Sequence, residues 1–181
     1  MMAGLLFVAF AFFAVAQAGS VRNGGQSAAD AAALAAAQDD RAQFYDGFLD
    51  AVSEGGDGWR DWLEGIGPLD GDGCGEASRF AARNRSDLLD CEQITRHGDP
   101  GYTVRVRTRF DTGDTFLPGA DHRKATATAT AVLRPRCSSD EEGDDADEIG
   151  ITCEDEEFTV GPDDQDTDVR PSDLFAVVLV D

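Results

Sequence analysis

The sequence lacks the short motifs that mark the common catalytic centres. It contains no G-x-S-x-G nucleophile elbow, no H-E-x-x-H pair, no P-loop and no dinucleotide-binding fingerprint. The two histidines, His97 and His122, lie in the polar stretches "TRHGDPGY" and "GADHRK", where a histidine is usually a surface residue. We therefore expect a protein that is not an enzyme, with no catalytic residue and no bound cofactor.

Positive charge is scarce in this chain. It has 15 Lys and Arg against 36 Asp and Glu, a formal net charge of −21, and no Lys or Arg between Cys137 and Val169. This charge argues against nucleic acid as a partner, because the phosphates would repel it, and against docking on an anionic membrane face. The acidic residues at about 138–149 predict a solvated loop, with diffuse and weak calcium binding as the alternative.

Metal-binding cysteine patterns are absent too. None of the four cysteines forms a C-x-x-C pair, and the histidines are not spaced as zinc ligands beside them. An even number of cysteines behind an export-type N-terminus favours disulfides, and short local loops favour Cys74–Cys91 and Cys137–Cys153 among the three possible pairings. Four buried free thiols are the alternative. The "DGDG" at Asp70–Gly73 predicts a turn, because the third calcium ligand of an EF-hand loop is replaced by Cys74.

No charged side chain occurs from Met1 to Val21. A helix of that length spans about 30 Å at 1.5 Å per residue, the thickness of a bilayer's hydrocarbon core, so residues 1–21 predict a transmembrane helix. The alternative is a signal peptide cut after Ala18 in "AQA", which would release a secreted, disulfide-stapled binding module.

The helical pattern continues after this run, since no proline occurs before Pro68. Residues 22–53 predict an alanine-rich stalk that prolongs the first helix, with larger apolar residues such as Phe44 and Phe48 able to lie on a folded domain. Alanine buries little area. The alanines therefore indicate either a surface that other helices can approach closely or a solvated spacer.

The N-terminal segment resembles that of the TadE/TadG-like proteins of Tad (Flp) pilus systems. In that family a hydrophobic helix precedes a "Q-x-A-A-D-A-A-A-L-A-A-A" segment, which this chain matches from Gln26 to Ala37. The matched positions predicted to pack against other helices are Gln26, Ala28, Ala29, Asp30, Ala33, Leu34 and Ala37. One departure is that the fifth residue after Gly4 is Ala9, where pilins of this system have glutamate after their processing site.

The resemblance implies a pseudopilin-like structural or assembly component of a Tad/Flp-type pilus or related secretion apparatus. It would be single-pass in the cell membrane with its C-terminal domain extracellular. Its partners would be other membrane or pilus-assembly proteins, contacted through the N-terminal helix, and it could form an oligomer.

Residues 54–181 predict an exported α+β domain with short helices and a three- to four-stranded antiparallel sheet, an arrangement like that of pilins. A helix at Trp59–Gly67 places Trp59, Trp62, Leu63 and Ile66 in the core, and a second helix runs from Gly75 to about Asn84. The predicted strands are Tyr102–Phe110, Lys124–Pro135, Leu174–Asp181, which is apolar enough to be central, and a short one at Glu157–Val160.

The first of these strands alternates apolar residues with Arg105, Arg107 and Arg109. The arginines should therefore line the solvated face of the strand. They either form a docking strip for an acidic partner or polymer, or pair with acidic residues of the same chain, for instance those around 140–148.

Overall fold

A computed structural model describes residues 2–68, 71–113, 122–139, 148–154, 156–162 and 169–181. Its first half is mostly helical and its second half is mostly sheet, so the predicted α+β class, with one long N-terminal helix and short helices beside an antiparallel sheet, is confirmed. The helices are α1 (Met2–Glu54), α2 (Gly58–Leu63), α3 (Gly73–Arg83) and α4 (Pro171–Leu174). The strands are β1 (Ser86–Arg96), β2 (Asp99–Thr108), β3 (Thr126–Pro135), β4 (Cys137–Ser138), β5 (Ile149–Cys153), β6 (Glu156–Val160) and β7 (Phe175–Val180).

Helix α1 is continuous over 53 residues. Two glycines early in it, Gly24 and Gly25, mark places where the rest of the chain approaches the helix closely. A Cβ at Gly24 would lie 2.7 Å from the ring of Phe110, and one at Gly25 would lie 3.0 Å from the Cβ of Ala125. Glycine lowers helix stability by about 1 kcal/mol relative to alanine, and at both positions a Cβ would force its neighbour to shift.

Four antiparallel strands form the main sheet in the order β1-β2-β3-β7. The alternation predicted for β2 is confirmed, since Tyr102, Val104, Val106 and Thr108 are buried while Arg105 and Arg107 are exposed. Strand β7 was predicted to be central and this was wrong, because it lies at one edge of the four-stranded sheet. Of its apolar side chains, Phe175 and Val177 pack at the aromatic end of the core, whereas Leu179 is exposed.

A second, three-stranded sheet in the order β4-β5-β6 contains the short strand predicted at Glu157–Val160. It does not extend the main sheet. Most of the acidic loop that precedes β5 lies outside the described residues, namely 140–147. Its prediction as a solvated or weakly calcium-binding segment is therefore not tested by the structure.

Helix α2 is shorter than predicted. It buries Trp59 and Leu63 as expected and leaves Trp62 half-buried, but Ile66 is 64% exposed, so its placement in the core was wrong. The physical reason is that α2 ends at Leu63 and Gly65, with a φ of +76°, turns the chain away before Ile66. In the "DGDG" segment, Asp72 caps α3 by accepting a hydrogen bond from the amide of Gly75 at 3.0 Å, while Asp70 lies outside the described residues.

The core has two parts of different composition. At one, small residues of α1 and α3 lie against β2 and β3, and at the other, aromatic residues of α1 meet α2, β7 and the second sheet. The aromatic part includes Phe44, whose ring centroid is 5.6 Å from that of Trp62 and 5.7 Å from that of Phe175. Large side chains at one end and alanines at the other thus fill the space between the buried part of α1 and the sheet.

Both predicted disulfides are present, and no described cysteine is free. Cys74–Cys91 joins the first turn of α3 to β1, and Cys137–Cys153 joins β4 to β5 across one sheet. Each therefore ties a short element to its neighbour. The alternative of four buried thiols is excluded by this pairing.

Candidate functional site

The first part of α1, residues 2–20, which we call the arm, projects from the domain. Large apolar side chains along it are exposed, including Leu5 at 72%, Phe12 at 73% and Val15 at 70%. Phe13 and Val8 are exposed as well. A soluble monomer seldom exposes so many large apolar side chains on one element, and such surfaces commonly mark contacts with proteins or membranes. The arm is therefore the first candidate for a functional surface.

Among the side chains of α1 that the structure describes, burial begins where the arm ends. Val21 is 7% exposed, and from there the helix lies against the sheet and α3. Among the positions predicted to pack against helices, Ala28, Ala29, Ala33 and Ala37 are fully buried and Leu34 is partly buried. Their neighbours are residues of the same chain, such as Ala77 and Val104. The close approach that alanine permits is thus used inside the domain.

The two polar positions of the same segment also bind the helix to its own chain. The side-chain amide of Gln26 donates a hydrogen bond of 2.8 Å to Asp30 and reaches the backbone carbonyl of Thr128 in β3 at 3.5 Å. Gln26 and Asp30 are spaced i, i+4, which places them one turn apart on one helix face. The glutamine thus connects the helix surface to the edge of a sheet strand.

A buried carboxylate, Asp40, lies at the end of the alanine segment and was not singled out from the sequence. Its side chain is fully buried, and one oxygen accepts a hydrogen bond of 3.0 Å from the hydroxyl of Tyr102 in β2. The other oxygen, Oδ2, has no hydrogen-bond partner among the described residues. The sequence "AQDDRAQF" does not indicate that Asp40 is buried. Asp39 and Asp40 are adjacent in a helix, and either one could face solvent.

Burial raises the pKa of Asp40 to about 6, opposed by the hydrogen bond from Tyr102 and assisted by the negative charge of Asp39. The pKa of Tyr102 is raised as well, first by burial and then by Asp40, with smaller effects of Asp39 and Asp72. Both side chains therefore hold their protons more tightly than usual, at a hydrogen-bonded contact between α1 and the sheet. Its consequence is a dependence of stability on pH, since both groups lie inside the core.

The arginines of β2, and Arg109 just after it, face acidic residues of their own chain. Arg109 forms an ion pair of 2.8 Å with Asp87, and this contact, aided by Arg107 and Lys124, lowers the pKa of the Asp87 carboxyl. In the sheet register Arg107 lies opposite Asp87, and Arg105 lies opposite Asp90. Partners within the chain were one of two alternatives expected, but those seen belong to β1, and the acidic loop at 140–147 lies outside the described residues.

Both histidines lie in exposed turns. His122 is exposed and its Nδ1 is 3.2 Å from Asp111, and His97 occupies the tight turn between β1 and β2 with a φ of +55°. Within the described ranges, no group of three or more His, Cys, Asp or Glu residues is arranged to hold a metal ion.

A cleft of about 430 Å³ between α1 and Trp62 is lined by acidic residues and the side chain of Trp62.

Comparisons with known protein families, with characterised proteins and with solved structures found no match. Among the residues that the structure describes, no helix is both long and apolar enough to cross a membrane. The structure therefore does not support the transmembrane character that the sequence predicted for residues 1–21.

Proposed function

We propose that the protein is a TadE/TadG-like, pseudopilin-like structural or assembly component of a Tad/Flp-type pilus or a related secretion apparatus. In this proposal the arm attaches the protein to the cell membrane, and the domain that follows lies outside the cell. The observation that carries the proposal is the division of α1. Its first part exposes large apolar side chains, and its second part is the central helix of a folded domain.

The exposed side chains of the arm support attachment to an apolar environment. Phe12, Phe13 and Val15 would each remove apolar surface from water on entering a membrane or on packing against helices of partner proteins. Gly4 and Gly19 lie in open space in this chain, so nothing within the domain explains their small size. Small residues of this kind let helices approach closely in membranes.

The buried alanines support a mechanical role for the rest of α1. Because Ala28, Ala33 and Ala37 lie directly against the sheet and α3, a load on the arm passes to the domain through a helix that has little room to shift. The two disulfides tie α3 and the second sheet in place. A structural role of this kind needs no catalytic residue and no cofactor.

The test is the location and the mature N-terminus of the protein, determined by mass spectrometry of membrane and medium fractions of producing cells. The proposal expects membrane-bound protein that keeps the arm. The double variant Phe12→Asp, Val15→Asp should leave the membrane fraction. The matched control, Gln38→Asp with Ser53→Asp, adds the same charge at exposed positions beyond the arm and should stay membrane-bound.

A secreted binding module is the second candidate, and one observation favours it. Cleavage after Ala18 would remove none of the buried side chains that the structure describes, because the first of these in α1 is Val21. Protein with Gly19 at its N-terminus in the medium, and none in the membrane, would establish this alternative and refute the pilus-assembly proposal.

A further inference from the structure

Basic residues are concentrated where the arm leaves the domain. Six of the 15 Lys and Arg of the chain lie at this end and are exposed. We call this set the collar, and it consists of Arg22, Arg85, Arg107, Arg109, Arg123 and Lys124.

Direct contacts bring the collar residues together around the point where α1 enters the domain. Gly24, just after Arg22, lies against the ring of Phe110, and the guanidinium of Arg85 stacks on the same ring at 4.9 Å from its centroid. The amide of Arg109 donates a hydrogen bond of 2.8 Å to the carbonyl of Arg85. One phenylalanine thus connects the helix to two of the basic residues.

The segment just before β3 supplies further basic residues of the collar. The amide of Thr108 donates to the carbonyl of Ala125 at 2.9 Å, and Arg107 pairs with Thr126, so Lys124, just before β3, lies at the same end of the sheet as Arg107. Both act on the carboxyl of Asp87, whose pKa they lower together with Arg109. Arg123 follows at the same end, where its carbonyl accepts a hydrogen bond from Thr112.

The local charge has the opposite sign to that of the whole protein. Among the described residues, the carboxyls on which the collar acts are Asp87 and Asp111. Six positive charges against these two carboxyls give this end an excess of positive charge, in a chain whose total is −21. The net charge, which argued against an anionic surface as partner, therefore does not describe this end.

We propose that the arm and the collar together form one docking surface for an anionic lipid membrane. The exposed apolar side chains of the arm enter the lipid, and the collar binds the phosphate headgroups around it. An apolar helix followed directly by clustered Arg and Lys is the arrangement that favours anionic bilayer surfaces. The strongly acidic remainder is repelled by the same headgroups, which orients the domain away from the membrane.

This inference rests on the proposed function, because it requires the arm to enter a membrane, but it adds a lipid preference that the proposed function does not contain. The experiment is co-flotation of the purified full-length protein with phosphatidylcholine vesicles and with vesicles that also contain phosphatidylglycerol, at low and high salt. The test variant carries Arg22→Gln, Arg107→Gln and Lys124→Gln. The control variant, Arg60→Gln with Arg134→Gln and Arg170→Gln, loses the same charge far from the arm.

The expected result is tighter binding to the phosphatidylglycerol vesicles, with the preference weakened by salt. Three basic side chains near a charged surface should account for a preference on the order of 100-fold at low salt, which the test variant loses and the control variant keeps. Far-ultraviolet circular dichroism checks that both variants are folded.

Three other results overturn the inference in distinguishable ways. Equal binding to both kinds of vesicle would refute the role of the collar and leave membrane attachment by the arm intact. Binding to neither would refute both. If the test variant instead lowers self-association in sedimentation while lipid preference is unchanged, the collar binds the acidic domain of a second copy.

Discussion

The two parts of helix α1 share a helix-forming sequence but differ sharply in burial. The arm, residues 2–20, and the part that follows, residues 21–54, are both rich in alanine and both free of proline. The side chains of Phe12 and Phe13 are exposed, whereas those of Phe44 and Phe48, further along the same helix, are fully buried. The helix-forming residues therefore account for one continuous helix. Packing against the sheet that follows in the chain determines which part of that helix is buried.

The largest expected effect is the difference in stability between truncating a phenylalanine in the buried part of α1 and truncating one in the arm. Phe44→Ala should lower the free energy of unfolding by about 3–5 kcal/mol, because it leaves a cavity between Trp62 and Phe175. Phe12→Ala should change it by less than about 0.5 kcal/mol, since Phe12 contacts little of the domain. Urea unfolding followed by tryptophan fluorescence measures both. Comparable losses would show that the arm packs on the domain.

A second perturbation removes the disulfide that holds α3 beside the buried part of α1 and leaves the arm unchanged. Replacing Cys74 and Cys91 by serine opens a loop with a sequence separation of 17, which should lower the free energy of unfolding by about 3 kcal/mol. Vesicle binding by the arm should be unchanged at a temperature where the variant is folded. A variant with unchanged stability would indicate that α3 is held against α1 by its alanine contacts without help from the disulfide.

Several features of the fold could be predicted because they depend on local pattern. Continuous helix without proline, alternation in β2 and short cysteine loops each specify geometry within a few residues. Strand β1 was missed because its sequence, "SDLLDCEQITR", does not alternate cleanly. The structure shows a register shift between Leu88 and Asp90, which interrupts the two-residue period.

The third prediction concerns pH and the carboxyl of Asp40. Its pKa is raised to about 6 in the folded protein from 3.8, so between these values the folded state holds a proton that the unfolded state has released. This contribution to stability is fully present below pH 3.8 and is lost as the pH rises through 6. The groups around it, Asp39, Tyr102 and Asp72, supply no positive charge to reverse the sign.

Asp40→Asn should remove this dependence. The free energy of unfolding of the variant minus that of the wild type should increase by up to about 3 kcal/mol as the pH rises from 4 to 8. Urea unfolding at several pH values measures the difference, and exposed carboxyls cancel because they are common to both proteins. A difference that does not change with pH would contradict the burial of Asp40 against the sheet.

The smallest expected effect compares two alanines of α1. Ala33→Leu forces three extra carbon atoms into full contact with the sheet and α3 and should cost about 1–3 kcal/mol of stability. Ala11→Leu, in the exposed arm, should leave stability within about 0.5 kcal/mol and strengthen vesicle binding. Equal tolerance at both positions would mean that the alanine segment is not closely packed.

The candidate site was less accessible to prediction than the fold. The pattern of Gln26 to Ala37 indicates which residues share close contacts, but not whether the partner is another protein or the chain's own sheet. The collar could not be read from the sequence at all. Arg22, Arg85 and Lys124 are far apart in the chain, and they lie at one end of the domain only because β1 and β3 begin on the side where α1 leaves the arm and enters the domain.

The most direct test of the division of α1 is hydrogen–deuterium exchange of the full-length protein, read by mass spectrometry of peptides, with and without vesicles that contain phosphatidylglycerol. The account predicts that amides of residues 2–20 exchange rapidly in solution and become protected on vesicles, whereas those of residues 26–52 are protected in both. Protection of the arm in solution without vesicles, or continued rapid exchange of the arm on vesicles that bind the protein, would contradict it.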